Sequence, residues 1–116
     1  MAYVYLRADE VRTLCETIFE KYRFSKEESA TITDVLLTAD LFGIESHGVQ
    51  RLIRYASALD NGYIDPAAKT ETVFATPCSA VWQADRTMGQ VVARAGMEKA
   101  MEMAKQHGFG AVAVRG

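Results

Sequence analysis

The chain has 116 residues, 15 acidic and 13 basic side chains, and a formal charge of −2. That is one ordinary domain's worth of chain with a modest core, and its faintly acidic balance gives no electrostatic reason to expect nucleic acid or an acidic membrane as a partner. With 49% apolar and 24% charged residues it is a folding, globular composition and not a disordered one.

Tyr3 to Leu6 is a short β-like run. Val11, Leu14, Cys15, Ile18, Phe19 and Tyr22 then recur at helical spacing, which predicts an amphipathic helix from about Ala8 to Tyr22 with Cys15 as a small buried hydrophobe. Ser25-Lys26-Glu27-Glu28 has the form of a capping box and opens a second helix running to about Leu41. That helix is apolar on more than one side, through Ile32, Val35, Leu36, Leu37, Ala39 and Leu41, so burial on most of its surface is expected. Gly43 stands where a left-handed residue stops a helix, and Ser46 is expected to cap a third helix ending near Asn61-Gly62.

Gly62 to Lys69 is a connector containing Pro66. Thr72–Ala75 and Ala80–Ala84 are predicted strands separated by Thr76-Pro77-Cys78-Ser79. A helix is predicted from Gly89 to about His107, with Ala93, Met97, Ala100, Met101 and Ala104 on one face, Gly108 as its stop, and a buried strand Ala111–Val114 after it. The fold class expected is α/β. Residues 1–62 form a three-helix N-terminal unit, and residues 63–116 the opening β-β-α-β of a larger domain. A helix followed at once by an apolar strand is half of an α/β layer, so the chain is expected to be the N-terminal part of something longer.

The two cysteines, Cys15 and Cys78, have neither a CxxC nor a Cys/His metal spacing. They predict no metal site and no disulfide framework, and favour a reducing compartment. No apolar run approaches a membrane span and no basic-then-apolar leader opens the chain, so a cytoplasmic protein is expected.

The candidate chemistry lies at Ser46-His47-Gly48 and the residues after it. A helix starting at Ser46 advances about 100° per residue. It would group His47, Arg51, Arg54 and Tyr55 in one quadrant and turn Val49, Leu52, Ile53 and Ala56 toward a core. At the first helical position His47 would meet the positive end of the helix dipole, which favours the uncharged ring. Such a ring can take a proton from a hydroxyl and return it in the reverse direction. Gly48 would let a ligand approach closely. Arg51 offers two parallel donors that match a carboxylate; the alternative is a solvated arginine paired with Glu45 or Asp60. Arg54 is expected to face solvent or to play a structural part, and Tyr55 either packs or lends its hydroxyl to the same ligand. The set suits a small hydroxy or keto acid.

Gly89, Gly96, Gly108 and Gly110 make no G-x-G-x-x-G after a strand and there is no P-loop, so the Rossmann fingerprint is absent. Asp85 to Gly89 reads as a turn with an N-terminal cap, and the methionines at 97, 101 and 103 as core.

The stretch from Ala39 to Leu52, through Gly43-Ile44-Glu45-Ser46-His47-Gly48, resembles the signature of the type-2 malate/L-lactate dehydrogenase family. Asn61–Pro66, Asp85–Gln90, Lys105–Gly108 and Ala111–Arg115 extend the likeness over essentially the whole chain. The resemblance implies an oxidoreductase that moves a hydride between NAD or NADP and a small 2-hydroxy or 2-keto acid such as malate, lactate or ureidoglycolate. It further implies a non-Rossmann cofactor domain and a homodimer. By the same resemblance His47 is the catalytic proton donor or acceptor, Arg51 holds the substrate carboxylate, and Tyr55 lines the pocket, with Ser46 grouped among the substrate-binding residues. The cofactor-binding residues would lie mostly beyond Gly116, which stands where many relatives have Asn.

Two rival readings use the same residues. The second and third helices also form a helix-turn-helix pattern in which Gln50, Arg51 and Arg54 reach base edges. Against it stand the acidic balance and Gly48, which weakens a recognition helix by about 1 kcal/mol relative to alanine. The other is a non-catalytic assembly module with His47 merely exposed. If the dehydrogenase reading holds, residues 1–116 alone show no turnover when NADH is followed with a panel of 2-keto acids; robust NADH oxidation by this chain would contradict that expectation.

Overall fold

A computed structural model describes residues 2–116. In order they form helix α1 (Ala8–Lys21), helix α2 (Lys26–Leu41), two single 3₁₀ turns (Glu45–His47 and Val49–Arg51), helix α3 (Leu52–Asp60), strands β1 (Glu71–Thr76) and β2 (Ser79–Gln83), helix α4 (Gly89–His107) and strand β3 (Ala111–Arg115). The chain is α/β, and its second half has the β-β-α-β order read from the sequence. Contacts divide it into one unit ending at Asp60 and another running from Asn61 to Gly116.

In the first unit α1 and α2 pack through Cys15 and Phe19 from one helix and Ile32, Leu36 and Leu37 from the other, with Phe24 of the connection also buried. The rings of Phe19 and Phe24 meet edge to face at 6.1 Å. The capping box forms as its spacing requires: Ser25 Oγ accepts the Glu28 N–H at 3.0 Å, and the Glu28 carboxylate accepts the Ser25 N–H at 2.9 Å. Arg12 donates to Asp34 of α2 at 2.6 Å and to Glu16 at 3.4 Å. These groups are partly exposed, so the link contributes about 0.2–1 kcal/mol.

Both helices end in the same six-residue hydrogen-bond pattern. At α2 the Ile44 N–H reaches the Ala39 carbonyl at 2.8 Å and the Gly43 N–H reaches Asp40 at 2.9 Å, with Gly43 at φ +76°. At α1 Phe24 bonds to Phe19 at 3.2 Å and Arg23 to Glu20 at 2.9 Å, and here the left-handed residue is Arg23, also at φ +76°. Its Cβ is crowded in that conformation, a cost glycine avoids.

Two expectations for this unit need correcting. Helix α2 is buried at Ser29, Thr31, Ile32, Thr33, Leu36 and Leu37, but the expected burial fails at Val35 and Leu41, which are exposed. Among the helices and strands, α1 and the two 3₁₀ turns pack against it. Tyr3–Leu6 is not a strand. Its backbone forms no regular element, and all four side chains are exposed.

In the second unit β1 runs antiparallel to β2 across the Pro77-Cys78 turn, where the Thr76 and Ser79 hydroxyls meet at 2.6 Å. Strand β2 is parallel to β3, from Ser79 opposite Ala111 to Gln83 opposite Arg115, with α4 as the crossover. Helix α4 stops at Gly108, which takes φ +80° and donates its N–H to Ala104 at 2.8 Å.

The face α4 buries differs from the one expected. Val92, Gly96 and Met103 are inside, whereas Met97 is 63% and Met101 49% exposed. The contact is made where α4 has no side chain: a Cβ at Gly96 would lie 3.6–3.8 Å from Val112, Trp82 and Val114. A stripe of larger apolar residues cannot reveal a contact built on its smallest member. The turn before α4 also lacks the expected side-chain cap. Met88 occupies the capping position, and Thr87 turns its hydroxyl back to the Ala84 carbonyl at 2.8 Å.

Replacing Arg23 by glycine is expected to raise stability by about 1 kcal/mol, since the left-handed conformation then carries no Cβ penalty. Chemical denaturation of the two forms checks this; an unchanged midpoint would show that Arg23 is not strained.

Candidate active site

The residues of interest lie between the end of α2 and the start of α3. The His47 N–H reaches the Ile44 carbonyl at 3.0 Å, Gly48 reaches Glu45 at 3.1 Å and Arg51 reaches Gly48 at 3.0 Å, all three-residue spacings of the tighter 3₁₀ form. Between the two turns Gly48 is extended, at φ −88° and ψ −155°, and this breaks what would have been one helix. The third α-helix therefore begins at Leu52 and not at Ser46.

Asp40, in the last turn of α2, explains the break. Its Oδ2 accepts the Val49 N–H at 2.8 Å. A Cβ placed on Gly48 would overlap the same carboxylate outright. Two expectations change as a result. The cap of the third helical segment is not Ser46 but a carboxylate nine residues before Val49. The missing side chain at Gly48 makes room for Asp40 and not for a ligand.

Ser46 is instead the hub between the two residues singled out by chemistry. Its hydroxyl lies 2.8 Å from His47 Nδ1, and its carbonyl accepts the Arg51 Nε–H at 2.7 Å. His47 is exposed and Arg51 half-buried. His47 closes a one-turn 3₁₀ helix and does not open an α-helix, so the expected dipole effect on its ring has no geometric basis. Arg51 pairs with neither Glu45 nor Asp60. The Glu45 carbonyl takes the Gln50 side-chain amide, and Asp60 accepts the Tyr22 hydroxyl at 2.9 Å, which raises the Tyr22 phenol above its ordinary value.

Tyr55 is half-buried on α3, and Arg54 is exposed. The expected core side holds for the half-buried Val49, Leu52 and Ala56 but fails at Ile53, which is 82% exposed. The 3₁₀ turns add about 20° per residue relative to an α-helix, and Gly48 interrupts them, so the assumed phase does not carry through. The helix-turn-helix alternative loses its recognition helix for the same reason. Gln50 and Arg51 precede α3, and backbone carbonyls engage both side chains.

With Nδ1 held by Ser46, Nε2 is the ring nitrogen that can exchange a proton. If the serine hydroxyl donates to Nδ1, a neutral ring carries its hydrogen on Nε2; if Nδ1–H donates to the serine, Nε2 accepts. Holding Arg51 by Nε leaves its two terminal nitrogens for an anion. Cys15, by contrast, is no nucleophile: burial first, then the charges of Asp40 and Glu16, push its thiol above the usual value.

Among the described residues no group of three or more His, Cys, Asp or Glu side chains could hold a metal ion. The turn between β2 and α4 has no glycine before Gly89, and its Arg86, at φ +60°, is paired with Asp65 at 3.0 Å. A groove of about 680 Å³ runs under Tyr3–Leu6 and shares Asp40, Glu45 and Val49 with the site turn, but neither His47 nor Arg51 lines it.

Asp40 is the residue that sequence reasoning missed. Gly48→Ala is expected to push it off Val49 and destabilise the fold by about 1–3 kcal/mol, as overpacking combined with loss of a charged hydrogen bond does. Urea denaturation measures this; an unaffected variant would mean that the contact with Asp40 is soft.

Residues 6–116 match the malate/L-lactate dehydrogenase family. The chain is 37% identical over 113 residues to the malate dehydrogenase of Pyrococcus abyssi, covering 97% of this chain and 31% of that protein. It is 38% identical over 89 residues to the ureidoglycolate dehydrogenase (NAD(+)) of Escherichia coli strain K12, covering 77% and 26%. The solved structure of sulfolactate dehydrogenase from Methanocaldococcus jannaschii is similar with a TM-score of 0.93 at 35% identity, over 97% of this chain and 33% of that one. The chain thus spans about a third of the length of the relatives it matches. No described helix is long and apolar enough to cross a membrane. With the match running from Leu6 to Gly116 and the fold shared over the same span, the chain belongs to the malate/L-lactate dehydrogenase family.

Proposed function

We propose that the protein carrying this chain is a nicotinamide-dependent oxidoreductase interconverting a small 2-hydroxy acid and its 2-keto acid. His47 exchanges the proton, Arg51 holds the carboxylate, and Tyr55 borders the same site. The observation that carries this reading is the double attachment to Ser46, which ties an imidazole and a guanidinium to one residue with a free edge on each. Malate, sulfolactate and ureidoglycolate, the acids in the relatives' names, share a hydroxyl on the carbon beside a carboxylate. That is the pair of groups these two side chains suit.

In the oxidising direction Arg51 fixes the carboxylate through its two terminal N–H groups, and His47 Nε2 accepts the proton of the neighbouring hydroxyl as the carbonyl forms. In the reducing direction Nε2 returns it. A bound nicotinamide would supply the hydride in the reducing direction and take it up in the oxidising one. NAD or NADP fits this reading, and the name of the ureidoglycolate relative specifies NAD(+). Residues 1–62 then belong to the substrate side and residues 63–116 to the cofactor domain. A homodimer and a cytoplasmic location complete the reading, supported respectively by exposed apolar side chains such as Phe74, Met97 and Phe109 that need cover and by two free cysteines.

In the intact enzyme His47→Ala is expected to lower kcat by about 10²- to 10⁴-fold with the fold unchanged. Arg51→Ala should chiefly raise KM for the acid, because it removes binding common to the ground and transition states. Steady-state kinetics decide it: wild-type constants in both variants would end the assignment.

A further inference from the structure

We infer that Asp40 is a positioning residue for the His47–Arg51 pair, holding the angle between them by clamping the backbone at Gly48 and Val49. This rests on the reading of His47 and Arg51 given above.

One residue secures both ends of the loop that carries the imidazole. The Asp40 carbonyl accepts the Gly43 N–H at 2.9 Å where the loop leaves α2. Its carboxylate accepts the Val49 N–H at 2.8 Å where the second 3₁₀ turn begins. His47 lies between these anchors and Arg51 follows the second, so the bend at Gly48 sets how the two side chains face each other. The carboxylate also places negative charge at the N-terminal end of the helical run from Val49 to Asp60, the favourable sign for a helix start.

The arrangement divides two tasks that one serine could not perform together. Ser46 has the chemistry of a local cap, yet its hydroxyl is on His47 Nδ1. The cap must then come from outside the turn, and the outside group must come close. Gly48 permits this. Its dihedral angles are extended ones that alanine also adopts, so it is the space that requires glycine and not the backbone conformation. Asp40 and Gly48 are therefore two halves of one device.

The test compares wild type, Asp40→Asn, Asp40→Ala, Gly48→Ala and the double variant Asp40→Ala/Gly48→Ala in the intact enzyme. Steady-state kinetics are referred to folded protein, and hydrogen exchange is followed on the peptide containing Val49. Asp40→Ala is expected to lower kcat/KM on the order of 100-fold, the scale of a misplaced catalytic pair, through both kcat and KM. Asp40→Asn keeps an oxygen for the Val49 N–H and should stay within about 10-fold of wild type with the peptide still protected. Gly48→Ala should lose as much as Asp40→Ala. The double variant should be no worse than Asp40→Ala within about 2-fold, because the added methyl then meets no carboxylate.

A merely structural cap would lower the melting temperature and leave kcat and KM per folded molecule unchanged; that result in Asp40→Ala overturns the inference. So do losses that multiply in the double variant, or an Asp40→Asn as poor as Asp40→Ala with the peptide protected. Should Asp40→Ala not fold, the inference stands only if Asp40→Asn is near wild type while Gly48→Ala is impaired. His47→Ala and Arg51→Ala run alongside. If they lose activity and Asp40→Ala does not, Asp40 alone is misassigned; if they keep wild-type kinetics, the site reading itself fails.

Discussion

The contact between the Asp40 carboxylate and the backbone at Gly48 and Val49 decides the shape of the first unit's candidate site. Without it the residues after Gly43 have the composition of an ordinary capped helix. With it, the first turns of that helix become two 3₁₀ turns around an extended glycine, and the α-helix starts at Leu52. A hydrogen bond to a charged acceptor contributes roughly 1.5–3 kcal/mol, enough to outweigh the small preference for α over 3₁₀ geometry in a segment this short.

The same rule, close approach made possible by a missing side chain, shapes the second unit. A Cβ at Gly110 would overlap the Ala100 carbonyl, so the chain can turn from α4 into β3 only with glycine there. Gly96 lets α4 settle over Val112 and Trp82. The face that α4 buries holds Val92 and Met103 together with a residue that has no side chain, and Met97 and Met101 face outward.

These constraints give the proposed chemistry its economy. Because the cap comes from Asp40, the Ser46 hydroxyl remains for His47 and the Ser46 carbonyl for Arg51. The ring proposed to exchange the proton and the guanidinium proposed to hold the carboxylate are thereby tied to one residue. That arrangement fits a family whose named members act on malate, sulfolactate and ureidoglycolate.

The features settled by the amino-acid sequence itself are those whose partners lie within one turn. The Ser25–Glu28 capping box, the left-handed stops at Gly43 and Gly108, the Pro77-Cys78 turn and the β-β-α-β order all follow from groups three to five residues apart or from simple periodicity. The family likeness around His47 was legible for the same reason, being a contiguous run of residues. The attachment of His47 and Arg51 to Ser46 does not follow from the helix expected there, which does not form. Tertiary structure alone decided which group caps the third segment, why residue 48 must be glycine, that Ile53 faces outward and which face α4 buries. Each of these depends on one chain segment filling space beside another, and periodicity along a single segment carries no record of what its neighbour brings into contact.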